Sequence, residues 1–200
     1  MGRAAHPAFL SEGVATPGSA GALSLLARTQ PRAAALGESE ASLARGFDSV
    51  TVTFSKGLGA PVGSAVAGSR EFVKEARRIR KLFGGGMRQV GVLAAAALVS
   101  LSNRVRLADD HANAKRLALG LAEAGARIDP EAVETNIVLF DVADAAPFVA
   151  ALKERGVLAA SVSATTVRLV THLDVTARDI GRALEGLQGA LKEGAGGAAP

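Results

Sequence analysis

A lysine at the junction between an apolar segment and a glycine-rich segment is the first group in this sequence that could do covalent chemistry. Lys56 lies in T-V-T-F-S-K-G-L-G-A-P, residues 51–61. Gly57 and Gly59 allow the backbone to approach a ligand closely. Apolar surroundings would favour the uncharged amine, which can act as a nucleophile. The same pattern is typical of a lysine that extends from a turn into solvent, and on the pattern alone this is the more frequent case.

A second candidate group combines two cations with a run of glycines. The segment K-L-F-G-G-G-M-R-Q, residues 81–89, contains Lys81 and Arg88 on either side of the glycines. Open backbone amides at the start of a helix, together with these cations, would bind an anion. A flexible connection between two helices, flanked by surface charges, explains the segment equally well.

A third candidate is an arginine inside an apolar strand. Arg168 lies in T-V-R-L-V-T, residues 166–171. Its guanidinium either faces solvent on the polar side of an alternating strand or pairs with a carboxylate through two parallel hydrogen bonds. The alternation of Val167 and Leu169 with Arg168 and Val170 leaves both interpretations open.

The composition excludes several other kinds of site. The sequence has no cysteine and only three scattered histidines, so a disulfide framework or a thiolate metal site is excluded and a histidine cluster is not indicated. The glycines at 57, 59 and 63 are one residue off the dinucleotide-binding spacing and lack the following helix. The basic residues between 70 and 81 lack interleaved aromatics, so a solvated or subunit-facing helix is favoured over a nucleic-acid surface.

The elements around Lys56 are predicted to be two strands joined by a turn. Residues 47–54 are rich in β-branched and aromatic side chains, and residues 62–68 form a second short strand pattern. Residues 69–83 have helical spacing. Residues 88–101 are almost wholly apolar and too short to span a bilayer, which predicts a buried helix. Upstream, residues 20–29 predict a short helix.

The remainder of the chain alternates between helix and strand patterns, which indicates an α/β or α+β layer structure. The predicted elements are a helix over 104–124 ended by Gly125, a strand over 135–142, a helix over 145–155 ended by Gly156, short strands at 157–160 and 166–171, and a helix over 175–191 with Thr176 as N-cap. No run of 18 apolar residues and no secretory signal are found, so a cytoplasmic protein without membrane or nucleic-acid partners is expected.

Taken in order, these segments resemble one enzyme family. F-D-S-V-T-V-T-F-S-K-G-L-G-A-P-V-G-S, then R-K-L-F-G-G-G-M-R-Q, then T-N-I-V-L-F and V-R-L-V-T-H are similar to low-specificity L-threonine aldolase, a fold-type-I pyridoxal-phosphate (PLP) enzyme. The resemblance runs from about Ala33 to Leu191. It implies cleavage of L-threonine or L-allo-threonine to glycine and acetaldehyde, and hence roles in glycine biosynthesis and threonine catabolism. It also implies a homo-oligomer that binds an amino-acid substrate.

The resemblance also implies roles for individual residues. Lys56 matches the lysine that holds pyridoxal 5'-phosphate covalently, and Arg168 matches the arginine that binds the substrate α-carboxylate. Lys81 and Arg88 match residues that reach toward the cofactor phosphate of a neighbouring subunit, and Ser55 and Thr53 are further candidates for cofactor contacts. A gapless extension of the match places Arg28 at another substrate-binding arginine and Leu25 at the aspartate that keeps the pyridine nitrogen protonated.

The resemblance covers the C-terminal portion of the family only, which sets the expected fold class and domains. We expect an incomplete fold-type-I α/β chain: residues 1–32 unmatched and either loop or disordered, 33–103 part of the cofactor-binding large domain, 104–193 the small domain and 194–200 a tail. Family members extend further on the N-terminal side, where further cofactor contacts lie. The expectation is therefore a truncated chain with impaired cleavage or, alternatively, a non-catalytic fragment that associates with homologous subunits.

Overall fold

The chain divides into two compact units, with the division between Arg104 and Val105. The computed structural model describes residues 22–25, 40–45 and 47–195. Each unit contains its own three-stranded sheet. The assignment of residues 33–103 and 104–193 to a cofactor-binding domain and a small domain stays a prediction, and the predicted tail beyond residue 195 lies outside the described residues.

The N-terminal unit is built on a mixed sheet in which β2 is central. β1 pairs in parallel with β2, and β3 pairs with β2 in antiparallel register from Ser49↔Gly68 to Thr53↔Ser64. The elements are β1 (Ala22–Leu25), α1 (Glu40–Ala44), β2 (Ser49–Thr53), β3 (Ser64–Gly68), α2 (Arg70–Leu82) and α3 (Gly91–Ser102). The short helix predicted over 20–29 was wrong for residues 22–25, because A-L-S-L alternates with the period of a strand and pairs with β2.

The apolar helix α3 is exposed, which corrects the buried helix predicted over 88–101. Val92 is 77% exposed and Leu98 67%, and only Ser100 of this helix is buried. Among the described residues, the more extensive contacts of the N-terminal unit join β1, β2, β3 and α2, and none of them involves α3. An apolar composition favours burial, but burial also requires a facing surface.

The helical stretch Gly91–Glu123 passes a test for a membrane span by length and composition. It has 33 residues. Core helices pass the same test, and the second half of this stretch is one, because it packs Leu117 and Leu121 into the core of the C-terminal unit. The remaining apolar part is α3, whose 12 residues fall short of the ~20 needed to cross a bilayer.

The C-terminal unit is an antiparallel sheet with three helices packed on one face. The strand order is β4-β6-β5, so the strand that carries Arg168 is central. The elements are α4 (Leu107–Glu123), β4 (Ile137–Asp141), α5 (Ala145–Glu154), β5 (Ala160–Ser161), β6 (Thr166–Val170) and α6 (Ala177–Ala190). A short helical turn, Leu191–Ala195, follows α6.

A single apolar cluster holds this unit together. The alternation in β4 and β6 buries Val138, Phe140, Val167 and Leu169 against α4, α5 and α6, while Leu139 and Arg168 face away. The other helix residues of the cluster include Leu117, Leu121, Phe148, Leu152, Ile180 and Leu187. The open face of the sheet, opposite the helices, is therefore the face that presents Arg168.

Two details of the predicted C-terminal elements have outcomes in the structure. Thr176 is the N-cap of α6, as predicted, and forms a capping box with Asp179. The strand predicted at 157–160 begins later, at Ala160, because Val157 donates its amide to the carbonyl of Leu152 at 2.9 Å and is buried in the core.

Candidate active site

Lys56 lies on a loop that connects β2 to β3 and is closed by its own backbone hydrogen bonds. The amide of Phe54 donates to the carbonyl of Gly63 at 2.9 Å, and the amide of Ala60 donates to the carbonyl of Phe54 at 2.9 Å. Within the loop, the amide of Gly59 donates to the carbonyl of Lys56 itself at 2.8 Å. These bonds fix the backbone that carries the amine.

The sequence of this loop separates an apolar side from a polar side. Phe54, Leu58 and Ala60 are buried, whereas Ser55 and Lys56 are exposed. Gly59 has a φ of 77°, a left-handed conformation that side chains with a Cβ rarely adopt and that turns the chain back toward β3. The expected burial of Lys56 in apolar surroundings is not found, because its side chain is exposed.

The two hydroxyl candidates flank Lys56 on the same segment. Thr53 is the last residue of β2, half-buried and paired with Ser64 of β3. Ser55 is exposed and directly precedes Lys56. The structure therefore brings Thr53, Ser55 and Lys56 together within four residues at one end of the N-terminal sheet.

The glycine run between Lys81 and Arg88 ends α2 rather than leaving its amides open. The amide of Gly84 donates to the carbonyl of Lys81 at 3.1 Å, and the amide of Gly85 donates to the carbonyl of Arg80 at 2.8 Å. With Gly84 at a φ of 77°, this is a Schellman motif, which satisfies the last carbonyls of a helix. These two amides are therefore not open to an anion, because the helix end uses both, whereas anion binding by Lys81 and Arg88 stays a prediction.

The two cations beside this run remain available to solvent. Lys81 and Arg88 are both exposed. The Lys81 side chain folds over Gly86, since a Cβ placed on that glycine would lie 3.1 Å from Cδ and 3.4 Å from Nζ of Lys81. A side chain at position 86 would require the exposed Lys81 side chain to shift by a few tenths of an ångström.

Arg168 occupies the centre of the open face of the C-terminal sheet. Its register partners are Leu139 on β4 and Ala160 on β5, and both of its neighbours along the strand, Val167 and Leu169, are buried on the other face. The structure thus resolves the alternation in favour of an exposed guanidinium. No acidic residue lies directly across from it in the register of the described sheet.

Two residues near Arg168 were not singled out from the sequence. Asp141 and Thr166 face each other across β4 and β6 on the same open face, and the Thr166 hydroxyl donates to Asp141 Oδ1 at 2.8 Å. Their positions in the sequence were the available signal. Asp141 lies two residues after Leu139, and Thr166 lies two residues before Arg168, so each shares a sheet face with that neighbour. The register that brings them together is not visible in a single strand pattern. Arg28, the remaining candidate, lies outside the described residues.

Comparisons with known proteins point to one family. The family model of beta-eliminating lyases matches residues 25–145. Low-specificity L-threonine aldolase 1 of Arabidopsis thaliana is 43% identical over 164 residues, covering 78% of this chain and 46% of the relative. The chain thus spans less than half the length of this curated relative.

Solved structures give the same result for the fold. A Listeria monocytogenes EGD-E protein, assigned provisionally as an L-allo-threonine aldolase, superposes with a TM-score of 0.67 at 23% identity, covering 82% of this chain and 49% of its own. A structure of SPT with PLP superposes with a TM-score of 0.62 at 26% identity, covering 78% of this chain and 43% of its own. The α/β class and the partial fold-type-I architecture expected from the sequence are therefore confirmed.

Proposed function

Because the chain belongs to the beta-eliminating lyase family, we propose that it takes part in PLP-dependent cleavage of L-threonine or L-allo-threonine to glycine and acetaldehyde. Its similarity to low-specificity L-threonine aldolase supports this reaction over the others of the family. The observation that carries the proposal is the exposed amine of Lys56 on a loop held by three backbone hydrogen bonds.

The residues of the Lys56 loop fit a covalently held aldehyde cofactor. A primary amine that is exposed, on a fixed backbone and next to glycine, can bond to the aldehyde carbon of PLP without rearrangement of the sheet. Ser55 and Thr53 supply hydroxyl groups on the same segment. Lys81 and Arg88 supply positive charge for the phosphate, now without help from the Gly84 and Gly85 amides. When bound, PLP accepts the electrons left on Cα as the Cα–Cβ bond breaks.

Arg168 is the proposed site for the substrate α-carboxylate. A guanidinium offers two parallel N–H donors to a carboxylate, and the open face around Arg168 carries the apolar side chains of Leu139 and Val170. Apolar neighbours strengthen a charge pair by lowering the local dielectric constant. Binding the carboxylate here would leave the α-amino group of the amino acid uncommitted.

The finer expectations belong to the same proposal. We propose that residues 33–103 serve the cofactor and residues 104–193 the substrate carboxylate, in a cytoplasmic homo-oligomer. We expect weak cleavage by this chain alone, because Lys56 is exposed to solvent and water is not excluded from the reacting groups. The alternative, a non-catalytic fragment that only associates with homologous subunits, is not favoured by the similarity to aldolases.

The test is to add PLP to the purified chain and to record its absorbance spectrum together with glycine release from threonine. We expect a stable absorbance band of the lysine-bound cofactor that is lost in Lys56→Ala. Lys74→Ala removes an exposed lysine of α2 and is the matched control, since PLP also reacts weakly with surface amines. A band of equal strength in Lys56→Ala would overturn the assignment of Lys56. Absence of glycine release in the presence of that band would leave cofactor binding without the proposed reaction.

A further inference from the structure

The open face of the C-terminal sheet contains a carboxylate that could compete for Arg168. Asp141 lies across from Thr166, and Leu139 lies across from Arg168, so Asp141 is the diagonal neighbour of the arginine on the same face. Diagonal neighbours in an antiparallel pair are about 7–8 Å apart, which long side chains can bridge. An aspartate at this position is therefore able to form an ion pair with Arg168.

The structure shows this carboxylate engaged elsewhere. The hydroxyl of Thr166 donates to Asp141 Oδ1 at 2.8 Å, and the backbone amide of Asp141 donates to the carbonyl of Arg127 at 3.1 Å. Among the described residues, the ion pairs within 4 Å do not include one between Asp141 and Arg168. The Asp141 carboxylate is thus hydrogen-bonded to Thr166 and is not paired with Arg168.

From this geometry we infer that Thr166 is a positioning residue: it holds the Asp141 carboxylate off Arg168 and so keeps the guanidinium available for a substrate carboxylate. The claim that the guanidinium is kept for a substrate carboxylate rests on the proposed function of Arg168. A hydroxyl bonded to a carboxylate is a charge-assisted hydrogen bond and is stronger than a neutral one. Leu139 and Ala160 contribute by placing no acid directly opposite the arginine.

Arg127 is a further cation beside Asp141 in the sheet register. It forms an isolated antiparallel bridge with Asp141 on the edge of β4 opposite β6. If Thr166 does not keep the Asp141 carboxylate from Arg168, then removing the Thr166 hydroxyl leaves that carboxylate in solvent or paired with Arg127, and Arg168 is unaffected. The behaviour of Arg127 therefore reports the competing outcome directly.

The test measures how fast phenylglyoxal modifies individual arginines of the apoprotein, mapped by mass spectrometry. Thr166→Val keeps the shape and the strand preference of the side chain and removes the hydroxyl. We expect modification of Arg168 to slow by about two- to fivefold in this variant, the range that an exposed ion pair supports. Adding Asp141→Asn to Thr166→Val restores the rate, and Thr166→Ser, which keeps a hydroxyl, leaves it unchanged.

Two further results separate this inference from the proposed function. An unchanged rate at Arg168 in Thr166→Val, or a slower rate at Arg127 only, would overturn the positioning role. Cleavage assays on the same variants test the substrate role of Arg168. In Thr166→Val we expect the KM for threonine to rise while kcat is unchanged. In the double variant with Asp141→Asn we expect the KM to return to the wild-type value. A slower modification of Arg168 with an unchanged KM would support the positioning role and reject Arg168 as the carboxylate site.

Discussion

The two units of the protein bury very different shares of their apolar side chains. In the C-terminal unit, one contiguous apolar cluster joins the inner face of the sheet to α4, α5 and α6. In the N-terminal unit, the buried apolar side chains among the described residues are those of the Lys56 loop, Phe54, Leu58 and Ala60. Leu82 and Phe83 at the end of α2 are 70% and 83% exposed.

This difference shows that the two candidate groups are held by different forces. Arg168 stands on a strand fixed by a packed core, whose burial is the dominant stabilising contribution. Lys56 stands on a loop fixed by hydrogen bonds and a small apolar cluster. The helix α3 is rich in alanine and leucine, which favour helix, and only Ser100 of it is buried. We therefore expect substitutions of similar chemistry to have unequal effects in the two units.

The largest expected effect comes from truncating a phenylalanine in each unit. Phe148 is fully buried and packs edge-to-face on Phe140, with ring centroids 5.8 Å apart. Phe148→Ala should destabilise the C-terminal unit by about 3–5 kcal/mol, because it removes the buried ring and leaves a cavity. Phe83→Ala is the matched control, and its exposed ring should cost less than about 0.5 kcal/mol.

Urea unfolding, followed separately by NMR signals of each unit, measures both effects. Equal losses of stability in Phe148→Ala and Phe83→Ala would contradict the comparison, because Phe83 would then have to be packed. A loss of stability in Phe148→Ala that is confined to signals of the C-terminal unit would strengthen the comparison, since the two units would then unfold independently.

A smaller effect tests how closely the helices of the C-terminal unit approach. Gly120 of α4 is buried, and a Cβ added there would lie 2.5 Å from Cδ2 of Leu184 on α6. Gly120→Ala should therefore cost about 1–3 kcal/mol through overpacking, despite the better helix propensity of alanine. Gly181→Ala has open space around its Cβ and should stabilise the protein by about 0.5–1 kcal/mol.

The sign of the difference between these two alanine variants is the informative result. Both place the same residue in a helix of the same unit, so the propensity gain cancels in the comparison of their thermal unfolding midpoints. A stabilising Gly120→Ala would mean that Leu184 moves aside without cost, and that α4 and α6 are less tightly packed than the structure indicates.

The local features of the fold were predictable from the sequence because short-range chemistry determines them. Thr176 was predicted as an N-cap from its position before a helical pattern, and Gly125 and Gly156 were predicted as helix ends. The structure confirms all three: Thr176 caps α6, and both glycines have positive φ after α4 and α5. Such features require only a few neighbouring residues.

The features that were predicted wrongly, left open or missed depend on distant partners or on backbone bonds. The composition of α3 indicated burial, but composition does not say whether a facing surface is present. The Gly84 and Gly85 amides seemed open because the sequence does not show that the carbonyls of α2 take them. The Thr166–Asp141 bond beside Arg168 requires the register of two strands 25 residues apart. The roles of Lys56 and Arg168 themselves came from resemblance and stay predictions.

The smallest expected effect is a pH dependence that belongs to the C-terminal unit. The hydroxyl and the backbone amide of Thr176 donate to Asp179, which holds the pKa of that carboxyl below its ordinary value. A carboxyl whose pKa is lower in the folded state stabilises that state above its unfolded pKa, and this contribution is lost as the pH falls through the lowered folded value.

Asp179→Asn keeps an acceptor at the start of α6 but does not titrate. We therefore expect wild-type protein to exceed Asp179→Asn in stability at neutral pH, with the difference shrinking below the ordinary carboxyl pKa. Urea unfolding of both proteins between pH 2 and pH 7 measures this, and a difference that is constant with pH would show that Asp179 acts through shape alone. Signals of the N-terminal unit should not follow this titration, because the capping box lies in the other unit.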